Sequence, residues 1–243
     1  MRICAAQFRP LAGDIAHNLQ RQLELSRQAA AQGIDLIVFP ELSLTGYEPQ
    51  LADSLALAIN DPRLNPLQSL SRNHAITIAI GLPSRSPKGP QISLGIFEPS
   101  GERRCYAKQQ LHSDELPYFT PGDKQLIIQQ QGLRIAPAIC YESLQFDHAQ
   151  QAHNLGANIY LASVAKSATG MKQAYPHYSR IASHFNMPVI MANCHGPCDN
   201  FISHGSSAIW NNSGDCLGNL SNNEDGLIGY DSDSHQLIHL TSD

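Results

Sequence analysis

The sequence lacks an excess of positive charge, a long apolar run and a dense set of cysteines, and each absence closes off a class of function. Its 16 basic residues stand against 21 acidic ones, a net charge of −5 with no long block of either sign. A nucleic-acid partner selects for a basic face, so none is expected. No window approaches the ~20 apolar residues of a membrane helix, and Arg9 and Pro10 break the apolar start before a secretory core can form. The expected address is cytoplasmic, away from any membrane. Six cysteines in 243 residues are too few for a disulfide framework and read as free thiols. Cys194-His195-Gly196-Pro197-Cys198 has the look of half a metal clip, but no second knuckle accompanies it, so neither a metal nor another cofactor is expected. Linkers, repeats and low-complexity tracts are missing too. With 42% hydrophobic residues the chain can bury one large core, and residues 1–243 read as a single domain.

What the sequence does contain is a series of short apolar, β-branched runs, at 3–8, 36–39, 76–82, 92–97, 133–139, 159–161 and 189–192. Helical periodicity appears between them, at 19–34, 62–73, 143–155 and 171–185. Strands alternating with helices are the pattern of a layered α/β fold. Pro137, inside one of these runs, suggests a bulge or an edge. Segments 84–90 and 211–218 read as surface turns, and the polar tail from Ser221 onward as loosely ordered.

Two apolar runs end abruptly in reactive residues, Pro40-Glu41 after LIVF and Cys140-Tyr141-Glu142 after RIAPAI. In open α/β sheets ligands gather at the carboxyl ends of strands, so both segments point to one crevice. Cys140 stands where a strand gives way to a helix, whose positive end would favour the thiolate; it reads equally well as a small buried hydrophobe. Glu41 beside a core strand is either paired or poised with a raised pKa, and both states suit a general base. Lys108, in CYAKQQL, would stabilise a developing oxyanion if buried; alone, it reads as a solvated charge.

Together FPELSLTGY, YAKQQL with the following E-x-x-YFTPG, and ICYES resemble the nitrilase or carbon-nitrogen hydrolase superfamily over nearly the whole chain. The order Glu41, Lys108, Cys140 is the family's order, and Ala6-Gln7, 119–123, Gly156-Ala157, Asn193 and Gly205-Ser206-Ser207 match further landmarks. The resemblance implies an α/β fold of four layers, an αββα sandwich. It also implies a thiol-dependent amidohydrolase: Glu41 takes the thiol proton, Cys140 attacks, and Lys108 with the Tyr141 amide holds the oxyanion. Glu115 matches a second glutamate that orients the lysine. Tyr47, Tyr118, Phe119 and Glu142 are expected to line a narrow pocket for a small linear amide or N-carbamoyl compound, with Glu142 suited to a cationic end or, equally, to supporting its neighbours from behind. Tyr141 sides with amidases, whereas nitrile-hydrolysing members carry Trp there. A homodimer or higher homo-oligomer is the expected assembly. Membrane acyltransferases and the two-domain NAD synthetases of the superfamily are set aside, the first for want of spans and the second for want of a further large domain.

Three other readings compete: a nitrile hydrolase of the same fold, a catalytically silent binding protein, and a Cys-His dyad drawing on His112, His177 or His195.

Overall fold

The computed structural model describes residues 1–240. Two sheets stack face to face. The first runs, in spatial order, Gln236–His239, Gly226–Asp231, Arg2–Gln7, Leu36–Val38, Thr77–Ser86, Gly89–Phe97 and Arg103–Ala107. The second runs Cys216–Asn219, Ala208–Trp210, Val189–Asn193, Ile159–Val164, Leu133–Ile139 and Ile128–Gln130. The strands at the centre of each sheet are parallel, joined by helical crossovers, and the flanking ones antiparallel.

Why the apolar runs are continuous rather than alternating follows from the layers: both faces of each central strand are buried. Ile3, Ala5, Leu36 and Val38 face Ile135, Ile139, Ile159 and Leu161 between the sheets. Their neighbours Cys4, Ala6, Ile37 and Phe39 point the other way, against helices Ile15–Ala31 and Asn65–His74. On the far side Ala136, Ala138, Tyr160 and Ala162 meet helices Phe146–Asn154 and Ala168–Phe185. Three apolar layers thus separate four layers of backbone, the expected αββα sandwich. Among the described residues, no helix is long and apolar enough to cross a membrane.

Several local expectations change. Pro137 causes no bulge, since the pairing of Leu133–Ile139 with Ile159–Val164 runs through Pro137 opposite Leu161 without interruption. The neighbouring edge strand pairs only as far as Ile135, so no ladder bond is missing where proline lacks its N–H. The tail is not loose: Gly226–Asp231 pairs along all of Arg2–Gln7, and Leu227 and Tyr230 are buried. Its last three residues, 241–243, lie outside the described residues. Segment 84–90 is the tip of a long hairpin, with Arg85 opposite Pro90, and 216–219 adds an edge strand.

Candidate active site

Four reactive side chains emerge at the carboxyl ends of strands. Glu41 follows Leu36–Val38 and Lys108 follows Arg103–Ala107 in the first sheet; Cys140 follows Leu133–Ile139 and Lys166 follows Ile159–Val164 in the second. The stacking of the sheets brings the four together. Backbone bonds fix the segments that carry them: Phe39 N to Ala79 O, Lys108 N to Ile92 O, Cys140 N to Ser163 O and His204 N to Lys166 O. The turn carrying Glu41 lies so close to Gly81 that a Cβ there would fall 2.2 Å from the Pro40 carbonyl, so only glycine fits. Cys140 itself has φ of 42°, a left-handed conformation that strains a non-glycine residue.

Lys108, wholly buried, donates from Nζ to Glu41 Oε1 at 2.8 Å and to Glu115 Oε1 at 2.6 Å. Burial alone would depress the ammonium, but Glu41, Glu115 and Cys140 overcome it and hold the pKa above its ordinary value. Glu115 is itself held, accepting from Tyr47 OH at 3.0 Å and from the His112 amide at 2.8 Å. Glu41 differs. Among the described residues its Oε2 is buried without a hydrogen-bond partner of ordinary geometry, and the carboxyl is pushed up to about 7, by burial first and by Glu115, against the lowering effects of Lys108 and the nearby Cys140 thiol. Cys140 is pushed up to about 11 by burial and the Glu41 charge, with Lys166 and Lys108 pulling the other way.

That value corrects the expectation of a helix-stabilised thiolate. Only a single 3₁₀ turn, Glu142–Leu144, follows the cysteine, and the α-helix begins later at Phe146. So short a turn has little dipole to offset burial.

A cavity of about 540 Å³ opens onto Cys140, lined by Tyr47, His112, Glu115, Tyr141, Lys166, His177 and Phe201 among others. Tyr47 packs edge-on against Phe201, 5.5 Å between ring centres. The Tyr141 amide, one residue past the nucleophile, has no acceptor among the described residues.

Three of the four expected pocket residues lie elsewhere. Tyr118, with Phe119, lines a separate cavity of about 420 Å³ beside Pro49 and Lys88, because the turn through Glu115 directs Glu115 inward and Tyr118 out, 39% exposed. Glu142 is wholly buried behind Cys140. Its Oε1 accepts from Tyr106 OH at 2.7 Å and the Ile139 amide at 2.8 Å, and its Oε2 from the Gln109 amide at 2.7 Å. It cannot meet a cationic substrate end; it ties the loop after Lys108 to the strand before Cys140. His148 completes this cluster between Tyr106 OH at 3.0 Å and Tyr160 OH at 2.7 Å.

No histidine bonds the Cys140 thiol among the described residues. Sγ lies 3.5 Å from the Ala165 carbonyl and 3.6 Å from Lys166 Nζ, and His195 bonds Asp225 at 2.8 Å. A Cys-His dyad therefore has no geometry here. Cys194 and Cys198 sit buried with Sγ atoms 3.7 Å apart, and among the described residues no group of three or more His, Cys, Asp or Glu converges to hold a metal. Lys166 was not anticipated, and His177 was weighed only as a partner for a Cys-His dyad. A charged residue directly after the apolar run IYLASVA is the same signal that marked Glu41, and it would have found Lys166.

A carbon-nitrogen hydrolase family model matches residues 2–240. The chain belongs to that family. The fold of this hydrolase is shared with a solved amidase from Nesterenkonia sp. AN1, with a TM-score of 0.85 at 25% identity, covering 95% of this chain and 92% of that one. A variant of that amidase carries the product of Michael addition of acrylamide at its active-site cysteine. A glutamine-dependent NAD(+) synthetase from Acinetobacter baylyi is 27% identical over 226 residues, which cover 88% of this chain and 41% of that protein. An (R)-stereoselective amidase from a Pseudomonas species is 28% identical over 165 residues, 67% of this chain and 60% of that one. The hydrolase thus spans less than half the length of the NAD synthetase it resembles.

Proposed function

We propose that this carbon-nitrogen hydrolase cleaves a small amide or N-carbamoyl compound through a thioester on Cys140, with Glu41 as proton carrier and Lys108 as oxyanion partner. The observation that carries the reading is the unmatched Oε2 of Glu41, buried beside the thiol while Oε1 is occupied by Lys108. A buried acceptor left without a partner is costly unless chemistry uses it. A carboxyl with a pKa of about 7 can take a proton and return it near neutrality.

The thiol proton passes to Glu41 while Sγ bonds to the amide carbon and the carbonyl electrons move to oxygen. Lys108 and the Tyr141 amide hold that oxygen, a contribution of about 3 kcal/mol per donor in comparable sites. Collapse expels the amine or ammonia, which takes the proton from Glu41. Water then gives a proton to Glu41 and its oxygen to the thioester carbon; the acid leaves, and Sγ regains the proton. The cavity of about 540 Å³ suits a small molecule.

The test is ammonia release from a panel of small amides, carbamoyl amines and nitriles. Wild type should turn over at least one amide or carbamoyl compound, and Cys140→Ala none. Equal release by both proteins, or turnover confined to nitriles, would refute the reading.

A further inference from the structure

We propose that Lys166 is a second catalytic lysine, one that acts on the nucleophile: its Nζ pairs with Cys140 Sγ as the thiol proton leaves for Glu41. The proposal rests on Cys140 being the nucleophile and adds a partner to it.

Lys166 is 6% exposed and pairs with no carboxylate among the described residues. An ammonium buried without a counter-charge is costly, so a lysine held this way calls for an anion. Nζ lies 3.6 Å from Cys140 Sγ and 3.4 Å from the Cys140 carbonyl. The backbone is fixed to keep it there. Lys166 N donates to Asn193 Oδ1 at 2.9 Å, and its carbonyl accepts from the His204 amide at 2.8 Å, Asn193 Nδ2 at 3.2 Å and Ser203 Oγ at 3.2 Å. Immediately after it, Ser167 caps helix Ala168–Phe185. Strand end, asparagine and helix cap together leave the backbone no freedom to withdraw the side chain.

The anion this geometry fits is the thiolate. The groups acting on Cys140 are Glu41 and Glu115, which oppose ionisation, and Lys166 and Lys108, which favour it; His112, Asp114 and His177 line the same cavity. Lys108 is already shared between two carboxylates. That leaves Lys166 as the cation not otherwise engaged beside sulfur. A substrate carboxylate on Nζ would crowd the thiolate and Glu41, so the nucleophile is the better partner. Lys166 acts without proton transfer. Its effect is electrostatic, lowering the energy of sulfur's negative charge during attack and again when the thioester breaks.

Alkylation of Cys140 by iodoacetamide, followed by peptide mass spectrometry as pH is raised, reads thiolate formation without requiring any amide to be a substrate. The exposed Cys216 serves as reference in the same sample. Lys166→Met and Lys166→Gln should both slow alkylation near neutrality by about tenfold or more and move the midpoint of the profile up by about one unit or more, leaving Cys216 unchanged. Lys166→Arg should restore most of the rate, and it decides the matter with Gln if Met does not fold. A Gln variant that matches wild type would make Lys166 a backbone clamp and overturn the proposal. So would variants that alkylate like wild type yet lose turnover only of amides bearing a carboxylate, which would assign Lys166 to substrate binding. Failure of wild-type Cys140 to react at any pH at which Cys216 does would overturn both this proposal and the reading beneath it.

Discussion

Two buried acidic clusters flank Cys140, and they differ in what they leave unmatched. In front, Glu41, Lys108, Glu115 and Tyr47 form a charged chain that ends at an unpartnered Oε2. Behind, Glu142 matches its oxygens with Tyr106 OH and the amides of Ile139 and Gln109, and His148 continues the network to Tyr160. A satisfied carboxylate fixes backbone; one left short near a thiol is available for proton transfer. Burial alone does not separate the two, since Glu41 is 1% exposed and Glu142 not at all.

The largest effect is expected at Lys108. Lys108→Met leaves Glu41 and Glu115 facing each other in the interior, so amide turnover should fall by about a thousandfold and unfolding stability by about 3 kcal/mol or more, read by steady-state kinetics and chemical denaturation. Glu41→Gln should reduce kcat/KM by at least about a hundredfold with little loss of stability. In wild type the basic form of Glu41 is the active one, so kcat/KM should decline as pH falls through about 7, and this limb should vanish from whatever activity Glu41→Gln retains. Glu142→Gln should behave the other way round, with about 2 kcal/mol lost from stability and a rate effect of only about tenfold. A Glu142 variant that folds as stably as wild type yet loses all turnover would erase the distinction. Tyr47→Phe removes one hydrogen bond from Glu115 and should cost about 1 kcal/mol of stability with a rate loss of a few-fold. Smallest of all, Tyr118→Ala should change KM and kcat by less than about twofold, since Tyr118 lines the other cavity.

The layers were legible because central strands buried on both faces leave unbroken apolar runs, as at 36–39 and 133–139. The tail was not: Gly226–Asp231 is held by pairing with Arg2–Gln7, at the other end of the chain, and polar flanks say nothing of so distant a partner. At the site, Glu41 and Cys140 were legible as reactive residues at strand ends that point to one crevice, whereas Lys108, alone a solvated charge, was legible only through the family resemblance. Side-chain direction within a loop carries no such periodicity. Tyr47 and Tyr118 both follow motif residues, yet one lines the cavity at Cys140 and the other does not. Glu142 follows the nucleophile by two residues, where a single 3₁₀ turn folds it behind the strand.

The central claim, that Cys140 carries the acyl group between the two halves of the reaction, is tested most directly by quenching wild-type enzyme in acid during turnover of an accepted amide and weighing the Cys140 peptide. The account predicts a mass increase equal to the acyl group, confined to that peptide and lost on hydroxylamine treatment. Full turnover with no adduct at Cys140, or undiminished turnover by Cys140→Ala, would contradict it.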